Sequence, residues 1–183
     1  MGKTYPKLDQ KLRDFIDAQH MFFVATAPLS GEGHVNVSPK GYDSFRILDE
    51  NTVCYLDYGG SGIETHAHVL ENQRITIMFC AFEGKANILR LYGKGRVTAF
   101  YDEGFSELME LFPDYDRARA IITVKLTRIY DSCGWAVPFY DYQGERDQLT
   151  RSHKNKSVEE WYEYRLATNA KSIDGLPGLT KPK

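Results

Sequence analysis

Val53-Cys-Tyr-Leu-Asp-Tyr-Gly-Gly-Ser-Gly-Ile-Glu-Thr-His-Ala-His-Val-Leu-Glu-Asn72 is the stretch that decides how this chain is read. Alternating apolar residues predict a strand, Gly59–Gly62 breaks it, and Ile63–Asn72 has the make-up of a short helix. Glycines let the backbone approach a bulky anion. The first N–H groups of a helix lack internal partners, so with the helix dipole they form an anion site. Ser61 and Thr65 add hydroxyl donors, and Lys40 is the nearest cation in the preceding sequence. The dipole supplies at most about 2 kcal/mol, whereas micromolar binding takes about 8 kcal/mol, so several groups must act together. A glycine turn that only reverses the chain is the simpler alternative, and this segment alone leaves both open. Glu64 is discordant, because a carboxylate repels a phosphate. It is expected to cap the helix, to offer its backbone N–H or to point away.

The surrounding sequence is rich in strands. Leu8, Leu12, Phe15 and Ile16 predict an amphipathic helix over Pro6–Ala18. Strands are expected at Phe22–Ala27, His34–Ser38, Phe45–Leu48, Val53–Tyr58, Arg74–Phe82, Ile88–Tyr92, Gly95–Phe100 and Ala120–Tyr130. Pro39 should interrupt the ladder, and Arg74–Phe82 reads as covered on both faces. Glu103–Phe112 returns to helical spacing. Ser157-Val-Glu-Glu160 is a capping box that opens a last helix with Val158, Trp161, Tyr162 and Leu166 on one face. Arg151, Lys154 and Lys156 read as a solvated loop, and Asp174–Gly178 as a fraying or irregularly docked tail. Strands that follow one another at hairpin distance predict a mainly β fold with peripheral helices (α+β), an antiparallel small barrel in one domain over 1–183.

Composition narrows the function. The chain has 183 residues, 23 Lys plus Arg against 25 Asp plus Glu, a net charge of −2, and 42% hydrophobic residues. That balance suits a globular domain and argues against a nucleic-acid coat. Cys54, Cys80 and Cys133 are widely spaced, with no CxxC, so neither a disulfide framework nor a zinc ribbon is expected. No apolar run has the length of a signal peptide or a membrane span. The expected location is cytoplasmic, with no membrane partner. His66 and His68 lie two apart on a helix and point away from each other, so no metal site is expected. GxxxxGK[ST] and GxSxG are both absent. Trp135, Phe139, Tyr140 and Tyr142 read as a hydrophobic cover or as the wall of a ring-binding pocket.

Two motifs at a compatible distance carry a family resemblance: Val35-Asn-Val-Ser-Pro-Lys-Gly41, and Gly60-Ser-Gly-Ile-Glu-Thr-His-Ala-His-Val-Leu-Glu-Asn72 followed by Arg74-Ile-Thr-Ile-Met-Phe79. Over Asp14–Tyr130 the chain resembles the pyridoxamine 5′-phosphate oxidase-like FMN-binding split β-barrels. The resemblance implies FMN as cofactor and a homodimer with the site near its interface. It places Val37, Ser38, Pro39 and Lys40 along the flavin and ribityl chain, and Leu56 and Asp57 beside the cofactor through backbone groups. Ser61, Gly62, Glu64 and Thr65 would cradle the phosphate. Where the true oxidases carry an Arg-Lys pair, this chain has Glu64-Thr65, and their C-terminal arginine-rich substrate signature is absent. The implied activity is FMN-dependent oxidoreduction of an unknown small molecule, with NAD(P)H as a candidate donor. A non-catalytic flavin-binding or storage protein, or a deazaflavin-binding relative, is the alternative. No acid or base is identified.

Overall fold

The computed structural model describes residues 2–181; residues 1, 182 and 183 of the expected domain lie outside the described residues. Eight strands form one sheet: β1 (Thr4–Tyr5), β2 (Phe22–Thr26), β3 (Asn36–Lys40), β4 (Phe45–Ile47), β5 (Thr52–Asp57), β6 (Arg74–Cys80), β7 (Ile88–Ala99) and β8 (Ala120–Ser132). Their order is β3-β2-β6-β7-β8-β5-β4, with β1 alongside β8, and every pairing is antiparallel. The helices are α1 (Gln10–Asp17), α2 (Glu64–Asn72), α3 (Phe105–Met109), α4 (Gln148–Lys154) and α5 (Val158–Thr168). This is the mainly antiparallel split barrel that the hairpin spacing predicts.

The sheet curls because its longest strands bend. β7 runs straight through Gly93-Lys-Gly95, where a break was expected, and the register with β8 shifts between Tyr92 and Gly93. A bulge of this kind bends a strand and sharpens its twist. Gly93 is required there: a Cβ would lie 2.5 Å from the Lys125 carbonyl oxygen. Leu12 and Ile16 of α1 close over a core with Val24, Val53, Tyr55, Ile77, Leu91, Ile122 and Val124. A second core under α3 takes Cys54, Leu56, Phe112 and Ile121.

Several expectations change. The strand covered on both faces is β5, whose alternating residues feed both cores; β6 alternates buried and half-exposed positions. Pro39 does not interrupt the ladder but sits opposite Phe23 in β3. An edge strand tolerates proline because one row of its N–H groups has no neighbour to serve. The basic run around Arg151 folds as α4, with His153 buried. The capping box at Ser157 and Glu160 forms as read, with both reciprocal hydrogen bonds present. The tail docks: His34 donates its backbone N–H to Asp174 at 2.7 Å, and Leu179 is buried. No helix among the described residues is long and apolar enough to cross a membrane.

Candidate functional site

The glycine turn between β5 and α2 is held from behind. Its carbonyls point into the protein: Arg165 Nη1 donates to Gly60 O at 2.8 Å, Asn169 Nδ2 to Ser61 O at 3.4 Å, and Arg119 Nη1 to Gly62 O at 2.7 Å. In a trans peptide the next residue's N–H points opposite to the carbonyl, and no cis bond occurs among the described residues. The N–H groups of Ser61, Gly62 and Ile63 therefore face away from the arginines, and no backbone acceptor among the described residues takes them. No side chain caps α2 either. The result is a short row of outward donors continuous with an uncapped helix N-terminus, which suits an anion.

The anchor of this arrangement is a buried ion pair. Arg119 and Asp57 are 3% and 2% exposed, and Arg119 Nη2 and Nε reach Asp57 Oδ2 at 2.8 and 3.1 Å. Arg119 Nη1 also donates to Asn169 Oδ1 at 3.0 Å, which orients that amide toward the turn. Gly59 N–H donates to Asp57 Oδ1 at 3.2 Å, and Lys40 Nζ stands 3.8 Å from the same oxygen. Burial works against ionisation of Asp57, but the charges of Arg119 and Lys40 and the hydrogen bonds from Arg119 and Gly59 outweigh it. Its carboxyl is held well below the ordinary carboxylate range.

Across the turn, β3 presents Asn36, Ser38 and Lys40 on its half-buried face, while Val35, Val37 and Pro39 point outward. Asn36 Nδ2 donates to Thr65 Oγ1 at 2.9 Å, tying this face to the start of α2 and leaving the Thr65 O–H free to donate. Of the expected cofactor residues, Ser38, Lys40, Ser61, Gly62 and Thr65 thus gather around the turn. Val37 and Pro39 lie on the opposite face of β3. Leu56 is in the α3 core, its N–H donated to Ser44 O at 2.8 Å, and Asp57 O accepts from Arg119 N at 2.7 Å. Those two residues therefore brace the site from inside.

Glu64 does not point away. Its carboxylate folds back over the turn, where Oε1 accepts from the Ile173 N–H at 3.2 Å and Oε2 would be 2.2 Å from a Cβ at Gly62. A side chain at position 62 would have to push aside only the flexible end of Glu64, so the space over the turn is shared between the two positions.

The two helix histidines are interior residues. His68 Nδ1 meets Thr26 Oγ1 at 3.0 Å, and burial lowers its pKa. His66 is 2% exposed with Nδ1 unpartnered. Burial and the charge of Arg119 bring its pKa down to about 4 against the pull of Asp57 and Asp102. Among the described residues no group of three or more His, Cys, Asp and Glu could hold a metal ion.

Sequence reasoning did not find Arg119, Arg165 or Asn169. They reach the turn from 57 to 109 positions away, and neither periodicity nor spacing signals such a contact. The only local hint was Arg165, which falls on the buried face of α5 beside Trp161.

With this geometry in view, the comparisons give the family. The model of the pyridoxamine 5′-phosphate oxidase family matches residues 8–133, so the chain belongs to that family. It is 36% identical to the pyridoxamine 5′-phosphate oxidase family protein ustO of Aspergillus flavus, across 96% of this chain and 77% of that one. Among solved structures, HupZ of Group A Streptococcus superposes with a TM-score of 0.57 at 21% identity, covering 73% of this chain and 99% of HupZ. A Lactobacillus delbrueckii protein described as a candidate pyridoxamine 5′-phosphate oxidase gives 0.52 at 13% identity, covering 69% and 98%. At these identities the two structures speak to the fold alone.

Proposed function

We propose that this chain is an FMN-dependent oxidoreductase that acts on a small molecule as a homodimer, with NAD(P)H as electron donor. The observation that carries the reading is the turn itself. Buried Arg119, Arg165 and Asn169 hold the Gly60, Ser61 and Gly62 carbonyls inward, so the following N–H groups are preorganised outward. Family membership supports a flavin as the anion's owner, and a cradle of single-phosphate size favours FMN over FAD.

The residues present fit that group. The phosphate would rest on the outward N–H groups, with the Ser61 hydroxyl and the free O–H of Thr65 as further donors. Lys40 and Ser38 line the approach from β3, and Asp57 fixes the Lys40 ammonium at the edge of the site. Bound there, FMN supplies a ring nitrogen that exchanges hydride with a substrate. The protein would supply position and charge: the Lys40 cation would favour negative charge on a reduced ring held near it.

The test begins with the visible spectrum of the purified chain and of the nucleotide released on denaturation. A colourless preparation that takes up no added FMN sinks the reading. Anaerobic bleaching by NADH or NADPH separates an enzyme from a carrier. Lys40→Ala is expected to weaken FMN binding about tenfold or more, the loss of one charge-assisted contact. Glu64→Gln is expected to tighten it, because the displaced group no longer repels the phosphate. Equal affinity in all three proteins places the phosphate elsewhere.

Exposed apolar residues support the dimer. Val35 and Val37 project from the edge strand, and Trp135 and Phe139 are 85% and 79% exposed on the segment after β8. Light scattering should give twice the chain mass of 21.0 kDa; a monomer at working concentration contradicts it.

A further inference from the structure

The outer face of the sheet holds an unbalanced charge. β6, β7 and β8 contain six cations, Arg74, Arg90, Lys94, Arg96, Lys125 and Arg128, and one carboxylate, Asp131. Asp131 is taken up beside β1, accepting from the Tyr5 hydroxyl at 2.6 Å and the Lys3 N–H at 2.7 Å. Among the described residues none of the six cations is in an ion pair. Asp49 senses the charge of Lys125 without pairing to it. The whole chain carries a net −2, so this excess is local.

Register concentrates it. Arg74 on β6 lies opposite Lys94 on β7, and Lys94 lies opposite Lys125 on β8. Directly opposite residues share a face, with Cβ atoms about 5 Å apart, so the three form one row about 10 Å long. Their chain neighbours Ile75, Val124 and Leu126 are core, so the row faces outward, and all three are exposed. Like charges directly opposite one another destabilise a sheet. Arg74 is nevertheless held in place: Nη2 donates to Pro28 O at 3.1 Å and Nε to Asn72 Oδ1 at 3.2 Å. Glu71, close to it in sequence, accepts instead from the Leu29 N–H at 2.8 Å.

A groove of about 420 Å³ opens at this row. Arg74 and Lys94 line it together with Ala25, Val35, Tyr92 and Thr127. The register shift between Tyr92 and Gly93 falls within it. Such irregularities re-aim side chains and recur beside binding sites. The volume lies in the range of small-molecule sites, about 300–1,000 Å³. The groove takes the Val35 face of β3, opposite the face of Ser38 and Lys40, and shares no lining residue with the glycine turn.

We infer that this groove binds a phosphorylated small molecule of nucleotide size, with its phosphates along the Arg74–Lys94–Lys125 row and the remainder against Ala25, Val35 and Tyr92. A single carboxylate meets one or two cations, whereas a diphosphate has the charge and the reach for all three. A groove of this volume suits a small ligand better than a nucleic-acid strand. The inference does not rest on the flavin reading, because the two sites have no residue in common.

The test is an amide nitrogen-15 spectrum of the purified chain, titrated with ADP in the absence of divalent metal. Saturable shifts are expected, centred on Gly93, Lys94 and Thr127. Adenosine, which lacks the phosphates, should bind about tenfold more weakly or worse. Lys94→Gln and Lys125→Gln should each weaken ADP about fivefold, the loss of one charge-assisted contact at an exposed site. Relief of like charge predicts that both variants unfold at no lower urea than the parent, so weaker binding is not a folding defect. Either variant suffices if the other fails to fold. Lys40→Ala should leave these shifts unchanged, which separates the groove from the glycine turn. No saturable shift at the three positions, or an affinity unchanged in the folded glutamine variants, overturns the assignment. So does saturable binding there of an oligothymidylate in place of ADP. Failure of the flavin reading alone would leave the shifts at Gly93, Lys94 and Thr127 unaffected.

Discussion

Arg119→Met is expected to destabilise the chain by about 3–5 kcal/mol, the usual cost of removing one partner of a buried ion pair. A domain has only about 5–15 kcal/mol in total, so the variant should unfold at much lower denaturant or fail to accumulate. The reason is the company Asp57 keeps. With Arg119 gone, its buried carboxylate retains the Gly59 N–H at 3.2 Å and Lys40 at 3.8 Å, and neither replaces the two bonds from the guanidinium. The Gly62 carbonyl and the Asn169 amide oxygen lose a donor at the same time. The comparison that isolates the cause is Arg119→Met combined with Asp57→Asn. Without a stranded charge, the double variant should recover part of the loss. Equilibrium urea unfolding of the three proteins decides it. A loss under about 1 kcal/mol in the single variant would mean the pair is not the anchor described above.

The second large effect concerns pH. His66 has a folded pKa of about 4, and an unperturbed histidine titrates near 6.5. Between these values the unfolded chain holds the extra proton and the folded chain does not. Stability contributed by neutral His66 is therefore complete above about pH 6.5 and is lost progressively as pH falls to about 4, a total of about 3 kcal/mol. Asp57 acts lower on the scale. Its folded pKa is depressed, so its contribution is present above the ordinary carboxylate value of about 3.9 and disappears only as pH falls below it. The windows are thus sequential. His66→Phe removes an unpartnered buried nitrogen, and should reduce the slope of the stability profile between about pH 6.5 and 4, leaving the smaller slope due to His68 and the steeper acid limb. A wild-type profile with no slope in the upper window would contradict the burial of His66 as a neutral ring.

What the sequence disclosed, and what it withheld, follows from the range of the interactions. Gly59–Gly62 and the start of α2 were legible because strand, turn and helix each have a local grammar. The capping box at Ser157 and the amphipathic stripe through Leu12 and Ile16 were legible for the same reason. Gly93 misled, because a bulge inside a long strand and a break between two strands share the same residues. Pro39 misled because its tolerance depends on β3 being an edge, which is a property of the sheet. At the candidate site, Lys40, Ser38, Ser61, Gly62 and Thr65 lie around the turn, while Val37 and Pro39 face away from it. Which way the peptides face was not readable. That orientation is set by Arg119 on β8, Arg165 on α5 and Asn169 just beyond it, through contacts no local pattern encodes. The fold-back of Glu64 was equally hidden, since it depends on a tail whose docking is tertiary.

The inward-facing carbonyls have one more consequence. The family's recognisable stretch ends at residue 133, yet Arg165 and Asn169, two of the three side chains that fasten the loop, come after it. The barrel supplies the loop, and a helix outside the matched stretch sets its grip. A substitution in that helix can therefore retune the loop without altering a residue in it.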